Sequence, residues 1–136
     1  MLAVVSARAA EKETSVTSQM IGTWSCVAAT INGKPLADPT VRKLHLTVTS
    51  TRYKTERSDE VRFDSTYRLD TTKAPVHINM VGTKGDLIGK EARGIIIVEG
   101  DTLKICYTMP GKPRPISFAS ATNSEAYLIV WKREKK

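Results

Sequence analysis

The chain has 136 residues, of which 40% are hydrophobic and 26% are charged, so it is long enough for one globular domain with its own core. This composition excludes a disordered chain and a fibre. The formal net charge is +7, but the basic residues are spread along the chain among acidic ones, which is typical of solvated strand faces. Nucleic acid is therefore not an expected partner, and no apolar run is long enough for a transmembrane segment.

Residues 1–10 form a short apolar run that ends in small residues. Ala7, Arg8 and Ala9 match the small-x-small pattern of signal-peptide cleavage, and polar residues 11–14 follow. The basic start of a signal peptide is missing, so we interpret residues 1–10 as the remnant of a longer one; a ragged cytoplasmic N-terminus is the alternative. This interpretation predicts an exported protein, periplasmic or extracellular, with one folded domain over residues 20–134.

Strand signals dominate the rest of the chain. Residues 23–31 are rich in β-formers and stop at Asn32-Gly33, a strong turn signal. Further strands are predicted at 44–49, 52–56, 61–69, 76–80, 87–98, 101–107 and 127–133, with a bend in the segment 87–98 around Gly89 or Gly94. Only residues 15–21 and 37–43 carry a weak helix signal.

About eight strands joined by short turns predict an all-β fold, an eight-stranded antiparallel up-and-down barrel of the lipocalin-like kind. A β-sandwich is the alternative. The side chains expected to face the interior are Trp24, Leu44, Leu46, Tyr53, Phe63, Tyr67, Ile78, Met80, Ile96, Ile105, Tyr107, Ile129 and Trp131. On the same parity, Cys26 faces inward and Cys106 outward, so we expect two free, half-buried thiols.

Several short motifs, taken in order, resemble a known family. They are Gly22-Thr23-Trp24, Asn32-Gly33-Lys34-Pro35, Leu69-Asp70-Thr71-Thr72-Lys73-Ala74-Pro75, the segments 100–107 and 110–115, and Trp131-Lys132-Arg133-Glu134. Together they are similar to the planctomycete-type lipocalin-like domain family, over roughly residues 22–134. The resemblance implies a calycin-like barrel without assigned catalytic residues. It also implies that Trp24 closes one end of the barrel, with a basic residue packed across its indole; Arg133 is the best positional match and Lys132 the second.

No constellation of residues predicts catalysis. The two histidines, His45 and His77, have no ligand spacing to another His, to a Cys or to a carboxylate, and both are expected on solvated strand faces. The acidic residues around Glu60 lie at a hairpin tip among arginines, as in a solvated turn. We therefore expect no metal, no cofactor and no enzymatic activity.

The leading hypothesis is a barrel that binds a small apolar or amphipathic molecule in a cavity open at the end away from Trp24. The candidate cavity residues are Tyr53, Phe63, Tyr67, Ile78, Met80, Ile105, Tyr107 and Ile129. Lys112 and Arg114, on a proline-rich loop, could guide an anionic head group at the mouth; the alternative is that the prolines only discourage edge pairing. The second hypothesis is a solid-cored interaction module with a protein partner at Ile95 and Ile97, unless the chain itself covers these residues.

Overall fold

The computed structural model describes residues 15–58 and 60–134, and the predicted signal-peptide remnant lies outside them. Residues 15–20 are helical (α1), and a short helix α2 spans Asp38–Val41, so both weak helix signals correspond to helices. The strands are β1 Gly22–Ile31, β2 Lys34–Pro35, β3 Leu44–Val48, β4 Arg52–Arg57, β5 Glu60–Asp70, β6 Val76–Gly82, β7 Glu91–Glu99, β8 Thr102–Thr108 and β9 Ala126–Arg133. A single 3-10 turn, η1, spans Gly85–Leu87.

The eight long strands form a closed antiparallel barrel. Each of β3 to β8 pairs with the next strand along the chain, and β9 returns to pair with β1, whose other neighbour in the barrel is β3. The two-residue β2 pairs with the end of β1. The predicted eight-stranded up-and-down barrel is therefore confirmed, and the sandwich is excluded because one continuous sheet closes on itself.

The closing pair, β1 and β9, runs in register from Trp24 opposite Arg133 to Ile31 opposite Tyr127. A bulge between Cys26 and Ala28 adds one residue to β1, and as a result both Cys26 and Ala29 are buried in the interior. Among the described residues, this irregularity is one of two in the sheet pairings. The other adds Arg62 to β5, opposite Thr55 and Glu56 of β4.

Strand β7 is shorter than predicted. It begins at Glu91, because the chain from Gly82 folds into η1 and returns through Gly89, which has a positive φ of 75°. A side chain at Gly82 would collide with the backbone carbonyl of Leu87, so glycine at that position permits the tight return. Gly94 lies in regular register with Tyr107, so the strand does not bend there. The predicted bend occurs at Gly89, as a turn before the strand begins.

The interior follows the predicted parity closely. Ten of the thirteen predicted inward residues are buried in one hydrophobic core, and Leu44, Phe63 and Tyr67 are half-buried against it. Cys26 belongs to this core, whereas Cys106 lies in a separate cluster on the outer wall. Both thiols are free, as predicted, but both are buried rather than half-buried.

Candidate ligand-binding site

One end of the barrel is closed by Trp24. Its indole is fully buried, and its Nε1–H donates a hydrogen bond to the Met20 carbonyl of α1 at 2.9 Å. The guanidinium carbon of Arg133 lies 4.2 Å from the centroid of the Trp24 ring, at a distance where cation–π attraction operates. The indole and the guanidinium together seal this end.

Arg133 also holds α1 against the barrel. Its Nη1 donates to the Ile21 carbonyl at 3.1 Å and its Nη2 to the Gln19 carbonyl at 2.6 Å. Gly22 has a φ of 142°, and a Cβ there would come within 3.0 Å of Arg133 Nη1. The structure thus brings Gly22, Trp24 and Arg133 together, while Lys132 is exposed on the neighbouring position.

The middle of the barrel is filled with side chains. Four of the candidate cavity residues are fully buried there: Tyr53, Ile78, Met80 and Ile105. Tyr67 lies towards the closed end, where its hydroxyl donates to the Thr49 carbonyl at 2.8 Å. These five residues form packed core rather than cavity wall.

A cavity of about 400 Å³ opens at the end away from Trp24, in the size range of small-molecule sites. The candidate residues Phe63, Tyr107 and Ile129 line it. The other lining residues are Ala29, Ile31, Leu36, Thr40, Leu44, Thr55, Arg57, Arg62, Leu87, Met109, Tyr127 and Trp131. Trp131 is fully buried, and its strand position lies towards the closed end, so its indole forms the deep part of the wall.

An aromatic stack forms one side of the cavity. The rings of Phe63 and Tyr107 lie 6.2 Å apart and nearly parallel, and those of Tyr107 and Tyr127 lie 5.1 Å apart. Gly94 makes room for this arrangement, because a Cβ there would come within 2.7 Å of the Tyr107 Cβ. Burial raises the pKa of the Tyr107 hydroxyl well above its ordinary value, so it stays protonated. The stack therefore presents flat, uncharged surface to the cavity.

Two arginines stand at the mouth. Arg57 ends β4 on the inward parity of Tyr53 and Thr55, and Arg62 lies at the bulge in the facing strand. Arg62 pairs with Glu60 at 3.3 Å, and both side chains are largely exposed. No ion pair within 4.0 Å involves Arg57 among the side chains that the structure describes. Outside the mouth, Arg57 and Lys43 border a shallow polar depression together with Glu60, so the rim carries two basic side chains and one carboxylate.

Arg114 lies on the proline-rich loop that was expected at the mouth, but its side chain does not reach the mouth. The Arg114 guanidinium donates to the carbonyls of Ile78 and Gly94 at 3.0 and 2.8 Å and to the Asn79 side chain at 2.6 Å, on the outer wall of the barrel. Lys112 forms an ion pair with Glu125 at 2.8 Å. These carbonyls therefore hold the guanidinium of Arg114 on the outer wall, and it is not among the residues that line the cavity.

The predicted contact surface is also corrected. Ile95 is only 1% exposed, because it packs with Cys106 and Ala126 under Phe118 of the loop 109–125. Ile97 remains 38% exposed. The chain itself therefore covers one of the two isoleucines, and the cover comes from this loop.

Sequence reasoning missed Arg57, Arg62 and the loop residues of the cavity. The inward alternation of Tyr53, Thr55 and Arg57 is a signal that could have identified Arg57. Arg62 reaches the mouth only because of the bulge in β5. Loop residues have no strand parity from which their direction can be predicted. In the part of the chain that the structure describes, no group of three or more His, Cys, Asp or Glu side chains could hold a metal ion. Nor is any helix within that part of sufficient length and hydrophobicity to cross a membrane.

No family model, curated protein or solved structure matches this chain.

Proposed function

We propose that this barrel binds a small amphipathic anion without chemical conversion, with the apolar body of the ligand in the cavity and its charged group at Arg57. The observation that carries the proposal is the cavity of about 400 Å³, lined mainly by aliphatic and aromatic side chains and bordered by the two arginines. An apolar interior favours burial of the ligand's apolar body, and the guanidinium group of an arginine favours binding of a carboxylate.

The composition of the cavity wall supports binding over catalysis. Among the described residues, its wall includes no carboxylate, imidazole or thiol that could act as a general base or nucleophile. The Tyr107 hydroxyl is not such a base either, since its raised pKa keeps it protonated near neutral pH. A wall of this kind holds a ligand by burial and charge alone.

An interaction module with a solid core is the less favoured function. The cavity argues against a solid core, and Ile95 is covered by the chain. A protein partner on the outer wall would have to bind around Ile97, which is a single exposed side chain rather than a patch.

We also propose that the chain is a lipocalin-like domain of the planctomycete type and is exported. The support for the first part is the position of Arg133 over Trp24 next to Gly22, which is the arrangement that the resemblance implies. The support for export is the residue pattern at 7–9. N-terminal sequencing of the protein from cell fractions tests export: a mature N-terminus after residue 9 in the exported fraction supports it, and an uncleaved cytoplasmic chain contradicts it.

Filling the cavity tests the binding function. Ala29 is buried on the cavity wall, so we expect Ala29→Phe to occupy part of the space and to weaken decanoate binding by at least about tenfold. Decanoate binding is measured by displacement of anilinonaphthalene sulfonate, a fluorescent amphipathic anion, and mass spectrometry of an organic extract of the native protein identifies any ligand that it carries.

The matched control is Ala28→Phe, because Ala28 is the exposed neighbour of Ala29 on the same strand. It should bind decanoate like the unmodified protein, and circular dichroism shows whether both variants fold. Decanol, which lacks the carboxylate, tests the contribution of charge. Arg57→Gln should weaken the binding of decanoate and leave the binding of decanol unchanged. Failure of the unmodified protein to bind either probe contradicts the proposal, as does equal binding by Ala29→Phe and Ala28→Phe.

A further inference from the structure

A second cavity, of about 240 Å³, lies on the outer wall of the barrel against β5 and β6. We call it the outer cavity; it shares no lining residue with the ligand-binding cavity. Its wall consists of Arg68, Leu69, Asp70, His77, Asn79 and Arg114. All of these side chains except that of Leu69 are charged or form hydrogen bonds, so the outer cavity suits a polar ligand.

The antiparallel register brings four of these side chains together. Arg68 of β5 lies opposite Asn79 of β6, and Asp70 lies opposite His77. All four have the outward parity, opposite to that of Ile78 in the core. Residues paired in this way have Cβ atoms about 5 Å apart, so the four side chains form one compact block.

Arg114 reaches this block from the loop 109–125. Its guanidinium donates to the carbonyls of Ile78 and Gly94 and to the Asn79 side chain. All three acceptors are neutral, so they orient the guanidinium without compensating its charge. A guanidinium has five N–H donors. These bonds use three of them, and the other two have no partner among the described residues.

The positive charge around the outer cavity is only partly balanced. Among the described side chains, no ion pair involves Arg68 or Arg114, and the nearby Arg93 of β7 pairs with Glu91 at 3.1 Å. Burial, and after it the charge of Arg93, lower the pKa of Arg114, although Glu91 and Asp70 oppose them. This direction is typical of a cation with too little negative charge nearby.

The other two titratable groups leave room for an anion. Asp70 is the only carboxylate among the described residues of the wall, and its Oδ1 already accepts bonds from the backbone N–H and the hydroxyl of Thr72. Burial, and after it the charges of Arg114 and Lys73, lower the pKa of His77, while Asp70 opposes them. The imidazole is therefore neutral near neutral pH and responds to added negative charge.

We propose that the outer cavity binds a phosphate-like oxyanion between Arg68 and Arg114. Two guanidinium groups without ion pairs give such an anion several charge-assisted hydrogen bonds, and the anion supplies the missing counter-charge. A tetrahedral oxyanion has enough oxygens to bond both guanidinium groups and the Asn79 amide at once. This site is independent of the proposed function, because the two cavities are separate.

Inorganic phosphate added to the full chain tests the proposal, and the two histidines serve as reporters. NMR follows the imidazole C–H resonances of His77 and His45 in pH titrations with and without phosphate, at constant ionic strength. A bound oxyanion favours the imidazolium form, so the pKa of His77 should rise and its resonances should shift saturably with phosphate. His45, which pairs with Glu134 at 2.6 Å, is not a wall residue and should not respond.

A parallel titration with glycerol phosphate distinguishes two sources of the anion. Both contain the same oxyanion, so both should shift the His77 resonances. Tighter binding of the ester indicates an organic phosphate as the ligand, and equal binding indicates the free ion.

Substitution of Arg68 gives the sharpest variant, because its exposed side chain has no hydrogen bond or ion pair among the described residues. Arg68→Gln should weaken phosphate binding by at least about tenfold. It should leave decanoate binding unchanged, since Arg68 does not line the inner cavity. Arg42→Gln is the matched control, because Arg42 is also exposed and lies outside the wall.

The control variant should bind phosphate like the unmodified protein, and circular dichroism shows whether both variants fold. A His77 shift that never saturates, or that His45 shares, overturns the proposal. Equal phosphate affinity of Arg68→Gln and Arg42→Gln also overturns it. None of these results bears on decanoate binding, so failure of this site and failure of the proposed function are distinguishable.

Discussion

The barrel contains two buried tryptophans whose surroundings differ. At the closed end, the Trp24 indole N–H donates to a backbone carbonyl, and Arg133 covers the ring. On the cavity wall, the Trp131 indole is also fully buried, and its N–H has no hydrogen bond of good geometry to a described residue. Because burial of an unpaired donor costs stability, its presence at only one end indicates that the two ends serve different purposes.

The arginines show the same contrast. Arg133 binds two carbonyls, contacts the Trp24 ring and lies 3.5 Å from Asp101, so its hydrogen-bonding capacity is largely used within the fold. Arg57 has no such ion pair among the described side chains, although it faces inward at the mouth. The comparison teaches that the closed end is held by charged hydrogen bonds within the fold, whereas at the open end the described side chains form no ion pair with Arg57.

Removing Arg133 should give the largest effect on stability. Arg133→Ala loses two charged hydrogen bonds and the cation–π contact, so we expect the free energy of unfolding to fall by about 3 kcal/mol. Lys132→Ala, at the exposed neighbouring position, should change it by less than about 0.5 kcal/mol. Urea titration measures both variants. If Arg133→Ala matched Lys132→Ala, Arg133 would not secure the closed end.

A pair of Tyr→Phe substitutions should give effects of opposite sign. Tyr67→Phe loses the 2.8 Å bond to Thr49 and should destabilise the protein by about 1 kcal/mol. Tyr53→Phe removes an unpaired buried hydroxyl and should stabilise the ligand-free protein by about 1 kcal/mol. Thermal and urea unfolding distinguish the two outcomes, and destabilisation by Tyr53→Phe would show that its hydroxyl already has a partner.

The smallest effect concerns pH at the closed end. A hydrogen bond from Ser25, together with His45 at 2.6 Å, lowers the pKa of Glu134, although burial opposes them. Because the folded pKa lies below the unfolded one, the ionised carboxylate stabilises the fold above the unfolded pKa, and this contribution is lost as pH falls through the folded pKa. Glu134→Gln should therefore be slightly less stable than the unmodified protein.

The measurement compares urea midpoints of the two proteins at about pH 7 and about pH 3, on either side of the ordinary glutamate pKa. We expect the difference between them to narrow at the lower pH, because protonation removes the contribution that Glu134 makes in the unmodified protein. A difference of equal size at both values would mean that Glu134 acts through packing instead of charge.

Strand parity predicted the barrel and most of its interior, because alternation decides the face of a residue wherever the pairing is regular. Leu46, Ile78 and Ile105 are examples, and all three are fully buried. Prediction failed where contacts come from outside the sheet. Ile95 lies on the outward face as expected, yet it is buried by Phe118, which lies 23 positions further along the chain in a loop without periodicity.

The candidate site was predicted less completely for a related reason. Parity cannot tell how far a barrel is filled, since this depends on the volumes and rotamers of all inward side chains together. Tyr53, Ile78, Met80 and Ile105 consequently lie in the filled section, although each has the right parity for a cavity wall. The direction of Arg114 could not be predicted either, because two carbonyls distant in sequence determine it.

The pairing of β1 with β9 has a consequence for how the chain acquires its function. The neighbouring strands of the meander can assemble as successive hairpins, but β1 and β9 come from opposite ends of the domain; Ser25 and Glu134, which bond at this junction, are 109 positions apart. Joining such distant segments is the slow, entropically costly step of folding for this topology. Ala29 and Ile31 of β1 face Tyr127, Ile129 and Trp131 of β9 around the same cavity. A nascent or partly unfolded chain therefore has no binding pocket, and a ligand that enters the cavity stabilises the last junction to form.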